Sequence, residues 1–181
     1  MYYVKETGKG GYKFYLQSMN DNISNRMLIE SALATSLQNN EFHLVYQPKV
    51  NVEENNVFGM EALLRWNNPS IGFVGPDVFI PLAEDNGKIY QIGLFVIKQA
   101  LIDTKKLHNT GKNIVVSINV SIKQLENENF INDLKSIIDE IGVLREYIEL
   151  EVTESQIMKD IDVTLVKLNE IASSGINISI D

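Results

Sequence analysis

Four segments of this chain alternate polar and apolar residues with the two-residue period of a β-strand, and between them lie stretches long enough to form crossover helices. Glu61, Leu63 and Arg65 share one strand face, as do Ser117, Asn119 and Ser121, then Glu149, Glu151 and Thr153, and finally Asn177, Ser179 and Asp181. The pattern predicts strands over 42–50, 57–66, 114–120, 147–153 and 176–181, with helices over 89–107, 122–141 and 156–173. Gly111, Gly142 and Gly175 each follow a helix, where a left-handed residue closes the last turn. The first two strands can pair as a hairpin through Glu53-Glu54-Asn55-Asn56, whereas each later pair is separated by a helix. Repeated strand-helix-strand units predict an α/β fold with a largely parallel sheet.

Parallel sheets normally bury both faces and read as continuous apolar runs, so a polar face on four successive strands requires a reason. A (β/α) barrel supplies one, because its functional mouth lies at the C-terminal ends of the strands. Glu61, Asn119, Glu151 and Asp181 fall near those ends. Their oxygen donors suit a hard divalent cation such as magnesium, manganese or calcium. Three carboxylates grouped together call for either a cation or raised pKa values. On the pattern alone, four solvated strand termini are the competing reading.

With 24 acidic and 16 basic residues the 181-residue chain carries a formal charge of -8, and no basic cluster offsets the repulsion a nucleic acid would meet. The absence of cysteine excludes a disulfide framework and a zinc-thiolate site, and suits a reducing cytoplasm. No apolar run approaches the ~20 residues needed to span a bilayer, and Met1–Glu6 lacks the apolar stretch of a signal peptide. His43 and His108 stand apart from other metal-type residues and read as structural. Trp66 alternates with Arg65 and therefore points into the core. An amphipathic helix is expected over 22–37, with a domain boundary near 19–22.

Six segments in order resemble the EAL family of cyclic di-GMP phosphodiesterases. They are Tyr46-Gln47-Pro48-Lys49-Val50, Glu61-Ala62-Leu63-Leu64-Arg65-Trp66, Phe79-Ile80-Pro81-Leu82-Ala83-Glu84, Ser117-Ile118-Asn119-Val120-Ser121, Glu149-Leu150-Glu151-Val152-Thr153-Glu154-Ser155, and a last strand ending in Asp181. Residues 1 to about 18 are similar to the end of a GGDEF-type diguanylate cyclase domain, through Met1-Tyr2-Tyr3-Val4-Lys5 and Gly11-Tyr12-Lys13-Phe14-Tyr15. The resemblance implies a tail and linker over 1–21 and an EAL domain over 22–181, folded as a partial TIM-like barrel of about five strands. It also implies metal-dependent hydrolysis of cyclic di-GMP to the linear dinucleotide pGpG, with Mg2+ or Mn2+ as cofactor and Ca2+ as inhibitor.

Carried over by position, Glu61, Asn119, Glu151 and Asp181 would ligate metal, with Glu61 acting in catalysis through it. Gln47, Leu63 and Arg65 would hold the dinucleotide, and Glu154 would steady the loop after the last strand. The family pattern continues past Asp181 with a second aspartate, a glycine-rich loop, a lysine, a glutamate and a glutamine. The 181 residues alone are therefore expected to be inactive, since a positioned general base by itself typically contributes about 10²- to 10⁴-fold. The apolar edge of the last strand is expected to be prone to aggregation. Three functional classes follow: a phosphodiesterase in a cytoplasmic signalling protein, a catalytically degenerate cyclic di-GMP receptor, and a regulatory dimerisation barrel without nucleotide. A homodimer is a family expectation.

Overall fold

The computed structural model describes residues 17–153 and 161–180. After a helix α1 (Gln17–Leu33) comes a hairpin of β1 (Phe42–Asn51) and β2 (Asn56–Asn68), then a short β3 (Gly72–Val74). Helices α2 (Pro76–Asp85) and α3 (Ile89–His108) lead to β4 (Val115–Asn119). Two further helices, α4 (Ile122–Glu126) and α5 (Phe130–Ile141), and a 3₁₀ turn at Arg145–Tyr147 precede β5 (Ile148–Val152). A last helix, α6 (Ile161–Ser173), precedes β6 (Asn177–Ile180). The sheet runs β1-β2-β4-β5-β6, with β3 paired to β2. The strands from β2 through β4 and β5 to β6 are mutually parallel, and β1 and β3 are antiparallel to β2. Among the described residues the sheet is open, a partial barrel with β1 and β6 at its ends.

One face of the sheet is the core. Met60, Ala62, Val116, Ile118, Ile148, Leu150 and Val152 are buried there with Ile92, Val96, Ile97, Leu101, Leu134 and Ile138 of the helices. Strand alternation then forces the intervening residues onto the opposite face. At the start of the hairpin, Phe42, Trp66 and Phe79 form an aromatic cluster, with Trp66 edge-on to Phe79 at a centroid distance of 5.5 Å. Such pairs contribute about 0.5–1.5 kcal/mol beyond the area they bury. Trp66 is fully buried, as its alternation with Arg65 requires.

The expected hairpin and parallel strands are present, and the three glycines after helices all have positive φ. Other elements differ. The helix expected over 122–141 is two helices, because the backbone turns extended at Asn127 (ψ 131) and its side chain accepts a hydrogen bond from Asn129 N. The first helix spans 17–33 rather than 22–37, and it runs through the boundary expected near 19–22. Helix α2 was not anticipated. Pro76 opens it, where a missing N–H costs nothing, but Pro81 stands inside and reads as a helix breaker. Burial of Phe79, Leu82 and Ala83 on α2 outweighs that penalty. The cyclase-like tail, Glu154 and Asp181 lie outside the described residues, as does the first part of the helix expected over 156–173.

Glu41 fixes the hairpin's entry. Its carboxylate accepts hydrogen bonds from Trp66 Nε1 (2.8 Å), Asn68 Nδ2 (2.9 Å) and Asn39 Nδ2 (2.9 Å). Burial opposes its charged form, yet these three donors hold the carboxyl below the usual range. Glu41→Ala leaves the buried indole N–H unpaired and is expected to cost about 1–3 kcal/mol by urea unfolding at neutral pH. Because the folded pKa is lowered, the Glu41 contribution is complete above the unfolded carboxyl pKa and is lost as pH falls through the folded one. The gap between wild type and variant should therefore narrow in acid.

Candidate functional site

Register places the polar residues in rows across the strands. Gln47 of β1 lies opposite Glu61 of β2, Glu61 beside Ser117 of β4, Ser117 beside Glu149 of β5, and Glu149 beside Asn177 of β6. One row nearer the C-terminal ends, Val45 lies opposite Leu63, and Asn119, Glu151 and Ser179 are neighbours. Glu61, Asn119 and Glu151 thus fall on three neighbouring strands. Asn119 Nδ2 donates to Glu61 Oε1 at 2.8 Å, joining two of the expected ligands across the β2–β4 pair. Leu63, Arg65, Asn119, Glu151 and Thr153 line a cavity of about 290 Å³ at the strand ends, with Glu84 and Ser121 on its wall. Glu61, one row deeper, and the exposed Gln47 do not line this cavity. The Arg65 guanidinium is half-buried, and Nη1 donates to the Leu64 carbonyl at 2.9 Å.

Sequence reasoning missed the lysine that organises this face. Lys49 Nζ donates to Ser117 Oγ (2.6 Å), Glu149 Oε1 (2.9 Å) and Glu151 Oε1 (2.6 Å), which accounts for all three ammonium hydrogens. Ser117 Oγ in turn donates to Glu149 Oε1 at 2.6 Å. The Lys49 side chain starts on β1 and ends over β4 and β5, so it must cross β2. It lies opposite Gly59, and a Cβ there would meet the Val115 carbonyl oxygen at 3.0 Å and Lys49 Cβ at 3.7 Å. Glycine at 59 thus lets the β4 backbone approach closely on the face that the Lys49 side chain crosses. A register shift between Lys49 and Val50 adds a bulge at the same place, a device that re-aims side chains. A lysine sharing a face with Gln47 and set against a glycine was the available signal.

The electrostatics follow. Partial burial works against the Lys49 ammonium, but its hydrogen bonds to Glu149 and Glu151 prevail and raise its pKa. Burial likewise opposes the Glu149 carboxylate, and Lys49 with Ser117 holds its pKa below the usual range. On the opposite, helical side, Tyr46 OH donates to Asp103 Oδ2 of α3 at 2.8 Å, and burial followed by that bond pushes the phenol upward. Both histidines are structural in placement: His43 is an exposed strand residue, and His108 Nε2 lies 2.9 Å from the Ile114 carbonyl oxygen.

Among the described residues no three acidic or histidine side chains converge as a metal cluster by themselves. The donor set that does converge is mixed. Glu61 and Asn119 are in contact, and Glu151 is the register neighbour of Asn119. Carboxylate and amide oxygens on three adjacent strands match the chemistry of a hard divalent cation.

The EAL domain family model matches residues 30–181. The chain is 34% identical, over its full length, to 27% of the bifunctional diguanylate cyclase/cyclic di-GMP phosphodiesterase MucR of Pseudomonas aeruginosa. It is 31% identical to the cyclic di-GMP phosphodiesterase NbdA of the same organism, over 98% of this chain and 23% of that protein. It therefore spans about a quarter of the length of these relatives. Among solved structures, the MucR phosphodiesterase in complex with c-di-GMP superposes with a TM-score of 0.81 at 33% identity, over 85% of this chain and 63% of that one. The EAL enzyme Bd1971, in its cAMP- and cyclic-di-GMP-bound form, gives 0.80 at 34% identity, over 88% and 45%.

The Glu61–Asn119 contact yields a direct test. Asn119→Asp sets a second carboxylate against Glu61 and is expected to lower stability by about 1 kcal/mol at neutral pH, the Coulomb energy of two charges ~4 Å apart in a water-like medium. Like charge raises a carboxyl pKa, so the penalty should be full at neutral pH and relieved as the pair takes up a proton in acid. Thermal unfolding at pH 8 and pH 5 reads both.

Proposed function

Because this chain belongs to the EAL domain family, we propose that it supplies the metal-binding and dinucleotide-binding strands of a cyclic di-GMP phosphodiesterase that releases linear pGpG. The single observation that carries this reading is the Glu61–Asn119 contact beside Glu151 on three adjacent strands, with Asn119 and Glu151 lining the same cavity as Arg65 and Leu63. Its expected ligands are cyclic di-GMP and Mg2+ or Mn2+. Glu61, Asn119 and Glu151, together with Asp181, would hold the cation, which when bound polarises phosphate and lowers the pKa of a water.

The chain's own residues then have separate tasks. Arg65, fixed at its root by β2, presents a guanidinium whose planar fork matches phosphate oxygens. The Leu63 side chain and the apolar part of the cavity wall exclude water from one flank of the ligand. Gln47, in the row of Glu61, offers an amide to the nucleotide from β1. A receptor that binds cyclic di-GMP without cleaving it would use the same Arg65 and Gln47, and product analysis separates the two. Among the described residues no helix is long and apolar enough to cross a membrane.

Incubation of the protein containing this domain with cyclic di-GMP and Mn2+, followed by chromatography of the nucleotides, is expected to show pGpG. Glu61→Gln should slow its appearance by about 100-fold or more, equivalent to roughly 2.7 kcal/mol of barrier. Arg65→Ala should weaken nucleotide binding by about 10- to 100-fold, in line with the ~1.5–3 kcal/mol of a hydrogen bond to a charged group, and should leave folding stability within about 0.5 kcal/mol. Unchanged turnover in Glu61→Gln would exclude the assignment. Binding without any pGpG would support the receptor.

A further inference from the structure

Lys49 is not among the groups that a hydrolytic site of oxygen ligands needs, yet it makes more hydrogen bonds to the polar face than any residue expected to act there. We propose that Lys49 is a positioning residue: it reaches across the strand beside Gly59 from the deep end of the hairpin and pins one carboxylate oxygen of Glu151, so that the other is presented to the cation. This deepens the metal-site reading and rests on it.

Three observations carry the proposal. First, the contact is directional. Lys49 arises from the row of Gly59, below that of Glu61, and meets Glu151 only through Oε1, at 2.6 Å. Second, the ammonium cannot swing freely. Ser117 Oγ and Glu149 Oε1 take its other two hydrogens, and Ser117 is fully buried on β4. A tetrahedral donor with three fixed acceptors has one orientation, and it passes that constraint to Glu151, whose side chain is 7% exposed. Third, the route is built for this reach. The missing side chain at Gly59 and the bulge beside Lys49 together let a β1 residue arrive over β5.

Two effects oppose each other when Lys49 is removed. Loss of a positive charge near the site strengthens attraction for a cation, whereas loss of the pin frees the Glu151 rotamer and leaves Glu149 and Glu151 repelling one another. Residues that orient metal ligands typically cost 10- to 100-fold in affinity when removed, so the second effect is expected to dominate.

The test is calorimetric titration of Mn2+ alone into the wild-type protein and into Lys49→Met, Lys49→Arg and Glu151→Gln, with circular dichroism of each metal-free protein. Wild type should bind and Glu151→Gln should lose binding. Lys49→Met should bind about 10- to 100-fold more weakly, in the range given for ligand-orienting partners. Lys49→Arg keeps the charge but has a planar fork in place of the three-pronged donor. It is expected to bind more weakly than wild type by about 10-fold, at the lower end of that range, and it carries the test if Lys49→Met does not fold. If Glu151→Gln abolishes binding while both lysine variants bind as wild type or tighter, the positioning role is overturned and the metal site stands. If Lys49→Arg matches wild type, charge alone suffices and the positioning role is again overturned. If wild type binds no Mn2+, or Glu151→Gln binds as well as wild type, the metal site falls and the inference with it.

Discussion

The polar face depends on one ammonium group. Glu149 and Glu151 stand two residues apart on the same side of β5, facing a space that α/β packing would ordinarily fill with hydrocarbon. Lys49 lies between them, with Ser117 completing its coordination. Partial burial strengthens such a group only if every hydrogen has an acceptor, and here every one does. The core face can therefore be continuously apolar while the opposite face holds several acids, because an ammonium from within the sheet offsets part of their charge.

This arrangement explains why the sheet begins with an antiparallel hairpin. Lys49 lies near the turn of that hairpin, and in β1, which runs against β2, the end of the strand lies deep beneath the C-terminal ends of β2, β4 and β5. A lysine so placed approaches the acids from below and leaves the mouth to Leu63, Arg65, Asn119 and the second carboxylate oxygen of Glu151. Glu41 anchors the same hairpin at its other end through Trp66, Asn68 and Asn39. Acids thus fix the hairpin at both ends, Glu41 through neutral donors and Glu149 with Glu151 through a cation.

Much of this was legible in the sequence because two-residue alternation and helix-length spacing are local signals. They assign Glu61, Asn119 and Glu151 each to the polar face of its strand, and the structure brings them onto neighbouring strands. For Lys49 the local pattern offered only a lysine on the face of Gln47 opposite a glycine, and its role was not legible because its partners lie 68 to 102 residues away. Helix α2 was hidden by Pro81, whose local penalty is outweighed by tertiary burial of Phe79 and Leu82. The break between α4 and α5 was signalled by Asn127 and Asn129, residues that compete with helix through side-chain bonds to the backbone, but a continuous apolar stripe masked it.

The central claim is that Glu61, Asn119 and Glu151 hold one divalent cation at the strand ends. Crystals of the protein soaked in Mn2+, with diffraction recorded on either side of the manganese absorption edge, test it most directly. The account predicts an anomalous peak within coordination distance, about 2.0–2.3 Å, of oxygens from all three residues, with Lys49 still on Oε1 of Glu151. A fully occupied manganese peak elsewhere, with none at these strand ends, would contradict it.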